Sequence, residues 1–326
     1  MLVRLFRSTQ FYPIALIVLF SIVINIVLGF SHPPKIVEEG TLFYQNVTNW
    51  IHGCNTWLIV SLIFLFITSQ ALHLNYVLNK HEVFFKQSWL PALIYLLLST
   101  QFTAFTQFSP LLILNSLFVF VLDLIFALYK NQKTMAVTFD AALLISLIAL
   151  MYAPAVFFIL LLFVGVAILK SISWRDISIG LIGLMVPLLI VLVGYFLSGT
   201  LPIIINQYKS GIASNPVFTN YMIGEFFFSA FFIIFVLVLA LMKMRHNYLK
   251  NVTKSRLCQQ ILLLFIFLVV IMIPFTNRLG IQNYMLMIIP FSSVIAYYFL
   301  DGKKIIYQEL LLWLLITNWV YANFFI

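Results

Sequence analysis

Residues 11–30 read FYPIALIVLFSIVINIVLGF, twenty residues without a single charge, with Arg4 and Arg7 just before them. About 20 apolar residues are what a helix needs to cross the hydrocarbon core of a bilayer. A run apolar on every face has no water-facing side to offer and is buried in protein or in lipid. The stretch ends at Asn25–Phe30 without a small-x-small cleavage site, so an uncleaved first span is expected in place of a removed leader.

The rest of the chain repeats this signal. Apolar runs of span length or slightly less recur at 55–76, 89–105, 110–129, 138–154, 155–169, 177–197, 222–242, 261–275, 284–300 and 307–326, which makes eleven candidate spans. The composition agrees: 63% of the 326 residues are hydrophobic, 8% are charged, and the mean hydropathy is +1.10. Ordinary soluble domains are about half apolar and a quarter charged. A water-soluble enzyme, a secreted domain and a disordered tail are therefore excluded. The expected fold class is all-α, a polytopic transmembrane helix bundle forming one integral membrane domain over residues 1–326.

Charge orients the bundle. If the N-terminus is inside, the odd-numbered connections hold only Lys35, Lys209 and Arg278, leaving fifteen of the eighteen Lys and Arg on the inner side. That asymmetry is the positive-inside pattern, and it predicts an inner N-terminus and an outer C-terminus. The net charge of +9 accordingly reflects orientation and attraction to membrane lipids, with no nucleic acid as partner. Joining the runs that meet at Pro154 into one span would invert half of the connections, so both are expected to cross. The inner stretch Lys243–Cys258, rich in cations and free of acids, reads as a lipid-facing anchor. Cys54 and Cys258 fall on opposite sides and cannot pair, and the sequons at Asn46 and Asn251 do likewise.

Polar chemistry gathers in the outer connections. Residues 31–54 form a first outer loop in which 43–50, FYQNVTNW, reads as an interfacial helix; 199–221 form a second and 276–283 a third. Glu38 and Glu39 stand side by side just after the first span. An adjacent pair of carboxylates at a water–lipid boundary suits a general base toward a hydroxyl, with its neighbour orienting the acceptor or holding a metal; a solvated acidic turn is the plainer reading. Asp123, inside the fourth span, is either a polar tie between helices or part of an ion path. The five His residues are scattered over both sides and form no iron-binding triad. The prolines follow no constant offset, which disfavours an inverted-repeat transporter.

The run Glu38-Glu39-Gly40-Thr41-Leu42-Phe43-Tyr44 in the first outer loop resembles the acidic motif of the polytopic C-type glycosyltransferase (GT-C) superfamily. Arg278 followed by Asn283-Tyr284-Met285-Leu286-Met287-Ile288-Ile289-Pro290 is similar to the pattern opening a late helix there, and the stretch from Asp140 to Pro154 looks like its mid-chain helices. The overall pattern also resembles a family of bacterial inner-membrane proteins of uncharacterised function. The glycosyltransferase resemblance implies transfer of a sugar from a polyprenyl-phosphate donor to an acceptor at the outer face. It implies catalysis by Glu38 or Glu39, phosphate binding by Arg278, Lys209 and Lys35, and a substrate pocket lined by Tyr44, Trp50 and Tyr284. A divalent cation is the only cofactor it brings into view. The chain departs from the pattern in having Glu at both acidic positions, and it stops at its last span. Two other classes fit the same composition: a transporter or flippase using Asp123, and a scaffold of an envelope complex.

Overall fold

In a computed structural model, the residues described are 2–8, 10–31, 44, 48–49, 55–131, 133–202, 205–206, 217–218, 223–273, 278–279, 281–300 and 305–324. Among them the chain is a bundle of α-helices: α1 (Leu2–Phe6), α2 (Tyr12–Ser31), α3 (Thr56–Lys80), α4 (Leu90–Ser99), α5 (Pro110–Ala127), α6 (Thr134–Met151), α7 (Ile159–Leu169), α8 (Trp174–Leu197), α9 (Ile223–His246), α10 (Thr253–Met272), α11 (Ile288–Leu300) and α12 (Ile305–Phe324). Nine helical stretches among the described residues are long and apolar enough to cross a membrane, and two shorter apolar ones occupy the remaining positions. The protein is a polytopic membrane bundle.

Local chemistry sets several helix starts. Asn55 caps α3 by accepting from the Trp57 N–H, and Ser109 caps α5 ahead of Pro110. Ser173 and Asp176 form a reciprocal capping box at the head of α8, where Lys170 also reaches the Asp176 carboxylate at 2.8 Å.

Two expected boundaries are corrected. The third run yields only ten helical residues, about 15 Å of rise or half a hydrocarbon core. After Ser99 the backbone turns into the 3-10 segment Thr103–Thr106. In the other direction, the inner stretch Lys243–Cys258 is scarcely a loop. α9 runs on through His246 and α10 begins at Thr253, with a 3-10 turn at Tyr248–Lys250 between them. Polar residues of α10 find partners in a neighbouring connection, Ser255 and Gln259 both donating to the Val83 carbonyl.

The break at Pro154 separates two crossings. Tyr152 is extended, and Ala153–Phe158 form a 3-10 turn leading into α7. The proof lies in α6 and α8, which pack on each other in parallel. A Cβ built on Gly180 would lie 3.7 Å from Thr138, one on Gly183 would meet the Phe139 carbonyl and Ala142, and Ser146 donates to the Leu184 carbonyl. Residue numbers rise together along both helices, so the segment between them must return across the bundle. Gly183 permits this closeness: a Cβ there would sit 2.8 Å from the Phe139 oxygen. Small residues at such crossings are how membrane helices associate when lipid removes the hydrophobic driving force between them.

The core lies among α3, α4, α5, α10 and α11, with α6 and α7 against it. Phe118, Phe158 and Phe265 form a buried three-ring cluster with centroids 4.4 to 5.4 Å apart. By contrast α2 and α8 keep most of their surface outside, bearing exposed Leu19, Ile26, Ile190 and Phe196 as helices facing lipid do.

Hydrogen bonds sort the connections into two ends. At one, the Trp89 N–H donates to the Phe6 carbonyl, Arg7 reaches the Phe299 carbonyl and Gln308, and Ser255 and Gln259 both donate to the Val83 carbonyl. At the other, Tyr152 donates to Asn283, Gln282 to Gln107, and Gln101 to Ser229 and the Asn318 carbonyl. None of these bonds links the two groups. Each group lies at or near connections that the charge reading assigned to one side, and the first group carries the cations. We call them the basic end and the opposite end.

Candidate functional site

Most of the irregular backbone lies at the opposite end. The 3-10 segments Thr103–Thr106, Ala153–Phe158 and Ile281–Met287 stand where the last turns of α4 and the first turns of α7 and α11 would otherwise lie. Non-helical backbone at membrane depth survives only where it is enclosed by protein or lines a cavity. Here it does both.

The enclosed part is a polar seal that fastens the end of α4 to α9 and α12. Gln101 donates to the Ser229 hydroxyl at 3.0 Å and to the Asn318 carbonyl at 3.1 Å. The Trp319 indole N–H and the Asn323 amide both donate to the Thr100 carbonyl, each at 3.0 Å. These groups satisfy the carbonyls that α4 leaves unpaired where it stops early. Sequence reading missed this seal. Thr100 and Gln101 sit inside an apolar run, and the signal available was the cost of placing amides at that depth, shared by Asn318 and Asn323 on the last span.

Beside the seal lies an apolar groove of about 460 Å³, between the 98–105 segment, α9 and the start of α11. Leu98, Phe102, Phe231, Ile234, Tyr284 and Met287 are among its walls. Phe231 and Ile234 are exposed on the flank of α9, so the groove opens toward the lipid side of the bundle. Tyr284, expected to line a substrate site, does line this groove and is 39% exposed.

The three outer loops have their described anchor points on the same shelf. Tyr44 is fully buried, stacks on Phe108 and donates its hydroxyl to the Phe108 carbonyl at 3.1 Å. Burial pushes its phenol well above the usual range, so it stays protonated and keeps donating. Tyr44 was expected to line a sugar pocket; its described contacts fasten the first outer loop to the bundle. Residues 278–279 pair in parallel with residues 217–218, Val217 opposite Arg278, which joins the second and third outer loops. Gln107 and Gln282 then connect the Phe108 segment to the stretch after Arg278, 2.7 Å apart.

The remaining site calls divide as follows. Glu38, Glu39, Lys35, Lys209 and Trp50 lie outside the described residues, as does most of the interfacial helix expected at 43–50, and only the backbone of Arg278 is described. Among the described residues no group of three or more His, Cys, Asp and Glu comes together to hold a metal ion.

Asp123 belongs to the basic end. Its carboxylate takes Lys80 at 3.0 Å and His81 Nε2 at 2.6 Å, tying the end of α3 to α5. This contact is the tie between helices that the sequence offered as one of two readings of Asp123. Eleven residues before His81, Gln70 ties the same two helices by donating to the Leu112 carbonyl and Ser116. Between the two ties, Leu74, Val77, Val119 and Leu122 are buried and apolar, while Asn75 is buried and His73 lies against the Phe120 ring, with centroids 4.2 Å apart. Cys258 is buried, and Asn251 donates to Tyr297 and Gln259, so that sequon serves as an interior contact.

No protein-family model matches the chain, and neither a curated protein nor a solved structure is detectably similar to it.

Proposed function

We propose that the opposite end is the outer, active face of a membrane glycosyltransferase that takes its sugar from a polyprenyl-phosphate donor, in a bacterial cytoplasmic membrane. The observation that carries this reading is the apolar groove, open to lipid along α9 and ending beside Tyr284 and the stretch that follows Arg278. A lipid-linked donor needs that combination: a greasy channel for its chain and a cation where its phosphate emerges. In this reading the isoprenoid lies along Phe102, Phe231 and Met287, and the phosphate meets Arg278 and Lys209, with Lys35 nearby.

Glu39 or Glu38 takes the proton from the acceptor hydroxyl. The acceptor oxygen then bonds to the anomeric carbon as the bond from that carbon to the phosphate oxygen breaks, and polyprenyl phosphate leaves. Positioning and stabilisation of the charge on the departing phosphate supply the rate enhancement. The anchoring of all three outer loops on the 102–108 shelf and Ile281–Met287 supports a shared site for these side chains.

The test is transfer of a labelled sugar from polyprenyl-phosphate donors in membranes bearing the chain. Single Glu38→Ala, Glu39→Ala and Arg278→Ala variants are compared with a strain lacking the gene. Loss of transfer in Arg278→Ala and in at least one Glu variant is expected. If each variant keeps the phenotype that deletion removes, these residues are dispensable and the enzyme reading fails.

A further inference from the structure

A second cavity, of about 860 Å³, lies at the basic end and shares no lining residue with the groove assigned to the donor. Two kinds of surface meet in it. Lys243 and His246 come from the last turn of α9, Lys250 follows on the 3-10 turn, and Tyr297, Tyr307 and Gln308 add hydroxyls and an amide. None of the described residues lining it is acidic; Glu309 is on the same helix as Gln308 but does not line it. The opposite wall, Phe235, Leu310 and Leu314, is apolar and exposed along α9 and α12, so it runs from the cations up the lipid-facing flank.

We propose that this cavity binds the headgroup of an anionic phospholipid, its phosphate among Lys243, His246 and Lys250 and its acyl chains along Phe235, Leu310 and Leu314. Helix ends and membrane sidedness both collect cations, but neither requires them to converge on a cavity with a greasy exit. His246 and Lys250 have no acidic partner among the described residues. Lys243 sits 4.8 Å from the centre of the Tyr298 ring, which holds its ammonium at the cavity wall. The volume exceeds what a bare phosphate needs and suits a glycerophosphate headgroup. The site is independent of the glycosyltransferase reading, because it uses the other end of the molecule.

The experiment reconstitutes the full chain in nanodiscs of phosphatidylcholine with a minor share of phosphatidylglycerol, then weighs the retained lipids by native mass spectrometry. Phosphatidylglycerol is expected to be enriched. The Lys243→Gln/Lys250→Gln variant should lower that enrichment about thirtyfold, each interfacial cation being worth roughly fivefold. Lys130→Gln/Lys133→Gln removes as much charge from the same end outside the cavity and should leave the enrichment unchanged. Leu310→Trp keeps the cations, changes a side chain that is already exposed, and should reduce retention severalfold by blocking the acyl wall. Equal losses in the two charge variants would mean general surface attraction and overturn the proposal. Full retention in Leu310→Trp, or displacement of the lipid by inorganic phosphate, would overturn it in favour of a free anion.

Discussion

At the basic end the helices stop on charge, with Lys80 and His81 against Asp123, Lys170 against Asp176 and Lys254 facing Glu82. At the opposite end they stop on neutral dipoles: Gln101 on Ser229, Trp319 and Asn323 on Thr100, Gln107 against Gln282, Tyr152 on Asn283. Helix dipoles do not explain the contrast. Cations favour helix C-termini by about 0.3–1 kcal/mol, which accounts for Lys243 and Arg245 in the last turn of α9. Lys254 and Arg256, however, occupy the first turn of α10, where the dipole opposes them. What these sites share is one end of the bundle, so their place at that end outweighs the local field. Among the described side chains, the opposite end closes its helices without fixed charge. It uses amides, 3-10 turns and a fold of irregular backbone, and that irregularity shapes the lipid-facing groove.

The largest effect to be expected from this contrast is all-or-none. In a background with Cys54 and Cys258 replaced, a single cysteine at Ser198 should react with a membrane-impermeant maleimide on intact cells. One at Lys250 should react only after permeabilisation. Labelling of both from the same side would abolish the distinction between the ends.

Next in size is the contact that fixes how the ends correspond. Gly183→Leu puts a side chain where even a Cβ lies 2.8 Å from the Phe139 carbonyl oxygen, so α6 and α8 must separate. Overpacking of this kind costs about 1–3 kcal/mol or more. The chain should lose its thermal transition in detergent or show it many degrees lower. Gly194→Leu on the same helix, with open space around its Cβ, should melt as the parent does. An unchanged melt in Gly183→Leu would break the parallel pairing from which the crossing of 153–169 follows.

Much of this was legible in the sequence, for definite reasons. Each span announces itself because lipid demands about 20 apolar residues, and Lys80, Lys86, Lys130, Lys243 and Lys254 mark their side because charge is costly to move across. Residues 89–105 misled, because hydropathy measures depth and says nothing of where the backbone stops being helical. Thr100 and Gln101 end α4 halfway through that run. The tie between Asp123 and His81 was equally hidden, since its members are 42 residues apart and meet only when α3 and α5 pack. Tyr44 was noticed for its neighbours Glu38 and Glu39, yet its buried hydrogen bond to Phe108 depends on a connection 64 residues away.

The smallest effects sharpen the comparison by salt. Asn323→Leu removes donors to the Thr100 and Gln101 carbonyls in a fully enclosed place and should cost about 1–3 kcal/mol, the penalty for buried groups left unpaired. Because no charge is involved, that loss should be the same at low and high ionic strength. Lys80→Gln removes one partner of Asp123, but the Lys80 side chain is 42% exposed and His81 remains in place. An ion pair so open to solvent is worth about 0–1 kcal/mol and is screened at a Debye length near 10 Å in 0.1 M salt. Its cost should therefore be small in dilute buffer and vanish in concentrated salt. Melting temperatures of both variants along a salt series decide the matter. If the Asn323 loss also faded with salt, its end would not be sealed by dipoles alone. If the Lys80 loss did not fade, the ion pairs of the basic end would hold the fold as well as orient it.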